Sequence, residues 1–267
     1  MPVLALDTSS SVAVALTDET GRTLAARSAP EQRHHAELLA PMIDAVLTEA
    51  GVDRTQVTAV VAGTGPAPYT GLRVGLVTAR TLALALGVPV QGVSSLDALA
   101  AEAADRLGLA VGDEVLVASD ARRREVYWAR YRVTAAGDGA AAGADTATGD
   151  GAPTAAGLDA ATPSSARAAH TGALVELVSG PSVGSAASVA AEGRAAGAVV
   201  VGRGALQYAA DLPPAEDGPL DPDPAVLARL ALARLAAAPA GTLLPSEPLY
   251  LRRPDAVPPA ERKRALA

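Results

Sequence analysis

VTAVVAGTGPAPYTGLRVGLVTARTLALALGVPVQGV, residues Val57–Val93, reads as strand, loop, helix and strand. Val57, Val60 and Val61 form an apolar, β-branched run suited to a buried strand, and Gly63, Gly65, Pro66 and Pro68 make the loop. Thr70 stands where an N-cap belongs, which predicts a helix from about Gly71 to Leu86. Gly87 is placed to take the left-handed C′ position, and Val88-Pro89 prevents continuation and opens the next strand.

The predicted helix is apolar nearly all round. Gly71, Gly75, Ala79 and Ala83 recur every four residues and form one line, a groove into which another helix could settle closely. Each glycine weakens a helix by about 1 kcal/mol against alanine, so the line implies a packing reason. Leu72, Leu76, Val77, Leu82, Leu84 and Leu86 occupy the other faces, interrupted only by Arg73, Thr78, Arg80 and Thr81. Two arginines in about 16 residues argue against a membrane span, which needs roughly 20 apolar residues. The helix is expected to pack on its own sheet and on something else.

Upstream, Val3–Leu6, Ser11–Leu16 and Arg22–Ser28 read as three antiparallel strands with tight turns. A helix over Glu37–Ala50 follows, with Leu38, Leu39, Met42, Ile43, Val46 and Leu47 at helical spacing and Pro41 as a blemish. Downstream of Val93, Ser94-Ser95-Leu96-Asp97 resembles a cap before a helix to about Leu107. A similar order then begins again. Strands are expected at Glu114–Ala118 and Glu125–Val133, around the turn Asp120-Ala121-Arg122-Arg123-Arg124. Residues 135–169 carry almost no large apolar side chain and read as a disordered insertion. Leu174–Val178 and Ala198–Val201 are candidate strands, with helices over Ala186–Ala196 and Pro224–Ala238.

The expected fold is α/β, two tandem βββαβα subdomains with the second degenerate. The units are 1–108, 109–222 containing the insertion, and a C-terminal helix and basic tail over 223–267. The chain has no cysteine, which excludes disulfides, thiolate metal sites and cysteine nucleophiles. No signal-like segment precedes Val3, so a cytoplasmic protein is expected. A net charge of −7 would not hold a nucleic-acid backbone without a local basic patch, and aromatics at 2% offer no base-stacking platform.

A repeated βββαβα unit is the actin-like ATPase arrangement, and particular blocks sharpen the likeness. They are Leu4-Ala5-Leu6-Asp7-Thr8-Ser9, Gly65-Pro66 with Thr70-Gly71-Leu72-Arg73-Val74-Gly75, Gly92-Val93-Ser94-Ser95-Leu96, Asp120-Ala121-Arg122-Arg123 with Glu125-Val126-Tyr127, and Tyr250-Leu251-Arg252. Together they resemble the TsaB (YeaZ) family. One departure is visible: the family usually reads Gly-Ser-Phe where this chain has Ala67-Pro68-Tyr69.

The resemblance implies a non-catalytic subunit of the bacterial complex that makes threonylcarbamoyladenosine beside the tRNA anticodon. TsaD, the transferase, would be its heterodimer partner, TsaE would supply an ATPase, and tRNA would be met through the complex; self-pairing when alone is an alternative. The expected partner interface is Leu39, Met42, Ile43 and Val46 on the first helix with Gly71, Leu72, Gly75, Leu76, Ala79 and Ala83 on the second. The basic tail, Arg252, Arg253, Arg262, Lys263 and Arg264, is a candidate tRNA contact, a solvated tail being the bland reading.

A degenerate nucleotide site would use Asp7, Thr8 and Ser9, with Asp120 in the second half and Gly202 and Gly204 as the adenosine loop. Three arginines replace glycine in the second turn, and Arg203 intrudes where close approach needs no side chain. Weak ATP or ADP binding is the most this site should give, and no cofactor is expected. TsaD carries His-x-x-x-His at its first helix; here His34 and His35 are followed four residues later by Leu38 and Leu39, and no metal is expected. An active actin-like kinase of a small substrate is the alternative. A glycoprotease-type peptidase fits less well, since no Gly-x-Ser-x-Gly occurs.

Overall fold

Alternation along the first strand decides the layering. The structure, a computed structural model, describes residues 1–29, 35–134, 162–163 and 172–252. Strand β1 (Val3–Asp7) sends Leu4 and Leu6 into one core and Val3 and Ala5 into another. It pairs antiparallel with β2 (Val12–Thr17), which pairs antiparallel with β3 (Thr23–Ala29). On its other side lie β4 (Ala59–Gly63) and β5 (Val90–Val93), both parallel.

Helices α1 (His35–Glu49) and α2 (Tyr69–Leu86) cover the Leu4/Leu6 face, while α3 (Ser95–Leu107) and the last helix, α6 (Pro224–Ala237), cover the Val3/Ala5 face. α1 starts ahead of the expected Glu37 and keeps Pro41 inside. α2 ends at Gly87, left-handed as the Gly87-Val88-Pro89 run predicts, but Pro68 holds the N-cap position and Thr70 lies within the helix. Proline at that position has no side-chain acceptor for the free N–H groups, and it makes no side-chain cap bond.

The second sheet repeats the first in reduced form. β6 (Glu114–Asp120), β7 (Glu125–Thr134) and β9 (Leu174–Ser185) form the antiparallel run, and β10 (Val199–Val201) lies parallel to β6 as β4 does to β1. Thr134 and Leu174 are cross-strand partners, so the segment between them is one long hairpin connection. Of it β8 (Thr162–Pro163), at the outer edge of β3, and residues 172–173 are described; the rest of the expected insertion, 135–169, lies outside the described residues.

α3 is packed on two sides, which explains its alanine. Ala98 and Ala101 face the first sheet, while Leu96, Leu99, Ala100, Ala103 and Ala104 face the second. Short α4 (Ala186–Ala191) and α5 (Arg203–Gln207) back the far side of the second sheet. α6 lies on the first sheet and is tied to α3 by Arg229–Asp105 at 2.6 Å and Arg234–Asp97 at 2.6 Å.

Candidate functional site

Asp7 and Asp120 close the equivalent strands of the two halves, while Gly63 closes the parallel neighbour β4 and Gly202 follows β10. The topology therefore brings every residue of the expected nucleotide site to the carboxyl ends of the strands, where open α/β sheets bind ligands. The side chains there are committed internally. Asp7 is 2% exposed. Its Oδ1 accepts from Ser9 N at 2.7 Å and Ser9 Oγ at 2.6 Å, and its Oδ2 accepts from Ser95 Oγ at 2.5 Å. Burial pushes the Asp7 carboxyl above its ordinary value; the Ser9 and Ser95 bonds oppose the rise, and the Asp221 carboxylate adds to it. Gly63 is needed for this closeness, since a Cβ there would lie 1.8 Å from Asp7 Oδ2.

Thr8 faces α2. Its Oγ1 donates to Gly71 O at 2.8 Å and accepts from Gly75 N at 3.1 Å. The line Gly71, Gly75, Ala79, Ala83 is thus turned to the chain's own first sheet, and a Cβ on Gly75 would meet Thr8 Oγ1 at 2.3 Å. Leu39, Met42, Ile43, Val46, Leu72, Leu76, Ala79 and Ala83 belong to one buried core with Leu4 and Leu6. The expected partner interface is therefore corrected: these side chains are interior. The open face of α2 is the opposite one, where Val77 is 62% and Leu84 84% exposed. Beside it, an open groove of about 430 Å³ is lined by Ala36, Thr70, Arg73, Val74, Val77 and Thr78.

Gly202 and Gly204 serve the chain's own packing too. A Cβ on Gly202 would meet Ala118 O at 2.4 Å, and one on Gly204 the Ser119 backbone at 2.8 Å. Close approach is real here, but it is α5 against β6. Arg203, between the glycines, pairs with Asp221, which also accepts from Ser10 Oγ at 2.5 Å. That clasp ties the first half to the second across the candidate site. Asp221 and Ser95 were missed in the sequence as site residues; an aspartate among Pro-Leu-Asp-Pro-Asp-Pro carries no spacing signal.

The C-terminal strap completes the surroundings. Gly92 N donates to Leu244 O at 3.1 Å, Leu249 N to Thr64 O at 2.8 Å, and Arg73 Nε to Tyr250 Oη at 2.9 Å. Arg252 donates to Ala121 O at 3.1 Å and pairs with Glu125. The strap thereby runs from the edge of the first sheet to the β6–β7 turn. Arg252 is pinned to the second half; Arg253, Arg262, Lys263 and Arg264 lie outside the described residues. Among the described residues no cluster of three or more His, Asp or Glu side chains could hold a metal, and no helix is long and apolar enough to cross a membrane.

Comparison with known proteins bears on this arrangement. The profile of the family described as "TsaD: tRNA N6-adenosine threonylcarbamoyltransferase" matches residues 28–189. The solved structure of YeaZ from Pseudomonas aeruginosa superposes with a TM-score of 0.65 at 30% identity, covering 94% of this chain and 99% of that one. The chain belongs to the TsaB (YeaZ) family. A second Pseudomonas aeruginosa structure, titled an uncharacterized protein with similarity to peptidase YEAZ, gives a TM-score of 0.66 over the same shares. The Escherichia coli "tRNA threonylcarbamoyladenosine biosynthesis protein TsaB" is 38% identical over 133 residues, 49% of this chain and 55% of the relative. An uncharacterized protein of Mycobacterium tuberculosis is 48% identical over 108 residues, 40% and 47% of the two chains. The matches thus span about half the length of these curated relatives. Family membership and the tandem actin-like fold agree with the sequence reading.

Proposed function

We propose that the chain is an accessory subunit in tRNA threonylcarbamoyladenosine biosynthesis, seating a TsaD-type catalytic subunit on the outer face of α1 and α2. The Escherichia coli relative, a tRNA threonylcarbamoyladenosine biosynthesis protein by name, supports the pathway. Support for an accessory role comes from the site: its strand-end carboxylate is buried and saturated, its glycines are filled by the chain itself, and Arg203 and Asp221 occupy each other. The observation that carries the docking face is the exposure of Val77 and Leu84 on a helix whose inner line is wholly used. Isolated apolar side chains on a surface are ordinary, but two on one helix face beside an open groove form a patch that a partner helix can cover. A TsaE-type ATPase belongs to the same proposed assembly, in the cytoplasm where tRNA is modified.

The test is co-elution with the TsaD-type subunit of the same organism on size exclusion. The wild-type chain is expected to co-elute. Val77→Glu, which places a charge in the patch without touching the core, should weaken the association tenfold or more at unchanged melting temperature. Equal co-elution by the variant would remove the docking face, and a wild-type chain that only pairs with itself would remove the proposed partner.

A further inference from the structure

The turn between β6 and β7 holds three consecutive arginines in the left-handed region: φ is 62° at Arg122, 55° at Arg123 and 62° at Arg124. Asp120 Oδ1 accepts from Arg122 N at 2.8 Å, Glu125 N donates to Arg122 O at 3.0 Å, and Ala121 N donates to Glu125 O at 3.0 Å, which fixes the turn. Glycine adopts these angles freely, whereas every side chain with a Cβ is penalised there by its contact with the carbonyl oxygen. This chain places arginine at all three positions and exposes all three. The strap brings a fourth, since Arg252 donates to Ala121 O and pairs with Glu125. Asp120 and Glu125 are the acidic residues of the turn, and they pair with Arg122 at 3.5 Å and with Arg252.

We infer that this arginine turn, with Arg252, is a contact surface for the phosphate backbone of tRNA. The inference rests on the proposed role in tRNA modification and adds where the nucleic acid touches this subunit. Guanidinium groups match phosphate oxygens in a bidentate fork, which lysine does not. The backbone bonds of the turn fix where the three side chains start, so the turn itself need not order on binding. In a chain of net charge −7, a local group of arginines supplies the positive charge that a polyanion needs. The turn carries no exposed aromatic side chain, so the contact positions the tRNA without reading bases.

The measurement is fluorescence anisotropy of an unmodified tRNA transcript with the full chain, titrated from about 50 to 200 mM salt. Wild type should bind in the micromolar range at the low end. The variant with Arg122→Ala, Arg123→Ala and Arg124→Ala should bind at least tenfold more weakly, with a log–log salt slope shallower by about 0.7 to 0.9 per lost phosphate contact. Arg123→Gly separates binding from folding: it relieves the left-handed strain, so melting temperature should hold or rise while affinity falls. Arg54→Ala, an exposed arginine on another part of the surface, should bind as wild type. Undiminished binding by the triple variant, or no salt-dependent binding by wild type, overturns the inference. So does a triple variant that keeps tRNA but loses the TsaD-type subunit, because the turn would then be a protein contact. Co-elution of the wild-type chain with that subunit is scored separately, so failure of the assembly and failure of the arginine turn are distinguishable.

Discussion

Asp7 and Asp120 occupy the same place in the two halves, yet their surroundings have opposite characters. Asp7 ends a strand covered on both faces, and its oxygens are taken by Ser9 and Ser95. Asp120 ends a central strand that is likewise covered on both faces, but its carboxyl turns to Arg122, one of the exposed arginines of the turn it fixes. One topological position has thus become interior packing in the first half and a charged surface in the second. A paired site of the actin-like kind needs both halves facing a common ligand; here the first faces inward and the second outward.

The seam between the halves should give the largest effect. Arg229→Met leaves Asp105, 2% exposed, without its ion-pair partner and should cost about 3 to 5 kcal/mol of stability, read by denaturant unfolding. A loss below about 1 kcal/mol would mean that the Arg229–Asp105 pair does not hold α6 to α3.

Gly75→Ala probes the inward-facing half. The new Cβ meets Thr8 Oγ1, and overpacking of this kind costs about 1 to 3 kcal/mol, more than the helix propensity gained. A stabilised variant would show that the small-residue line does not lie on the sheet.

Asp7 should also set a pH dependence. Its folded pKa is raised by burial, so its contribution is fully present below the unfolded value near 3.8 and is lost as pH rises through the folded value. Asp7→Asn removes that loss, and its melting temperature relative to wild type should climb from pH 4 to pH 8. Parallel curves would contradict the burial of a charge. Glu114, whose pKa is lowered chiefly by its hydrogen bond from Arg132, should contribute with the opposite sign.

The smallest effect is expected outside both halves. Replacing residues 135–171 with a short Gly/Ser turn joins strands whose ends, Thr134 and Leu174, already pair. It removes the short pairing of β8 with β3 and should change stability by about 1 kcal/mol at most. A larger drop would show that the segment packs.

How far these features are legible in the sequence depends on what patterning encodes. The strand-loop-helix-strand at Val57–Val93 and the repeat are readable because alternation, Gly87 and Pro89 act locally. The proposed docking face is not. α2 is apolar on several sides, so periodicity shows that it has partners but not which side the sheet takes, and the glycine line suits a sheet and a helix equally. The place of α6 is not legible for a similar reason: an apolar helix can cover either sheet, and the Arg229 and Arg234 pairs that fix it on α3 span more than 120 residues. Arg203 is visible as an intruder between glycines, whereas its partner Asp221 depends on a fold-level encounter.

The central claim is that this chain supports the transfer without chemistry of its own. Reconstitution of threonylcarbamoyl transfer onto tRNA with the TsaD-type subunit tests it directly, comparing Asp7→Asn and Val77→Glu at matched concentrations. The account predicts near wild-type modification with Asp7→Asn, and loss with Val77→Glu that excess variant partly restores. Modification abolished by Asp7→Asn while the subunit stays bound would contradict it, since the buried carboxylate would then be acting in the reaction.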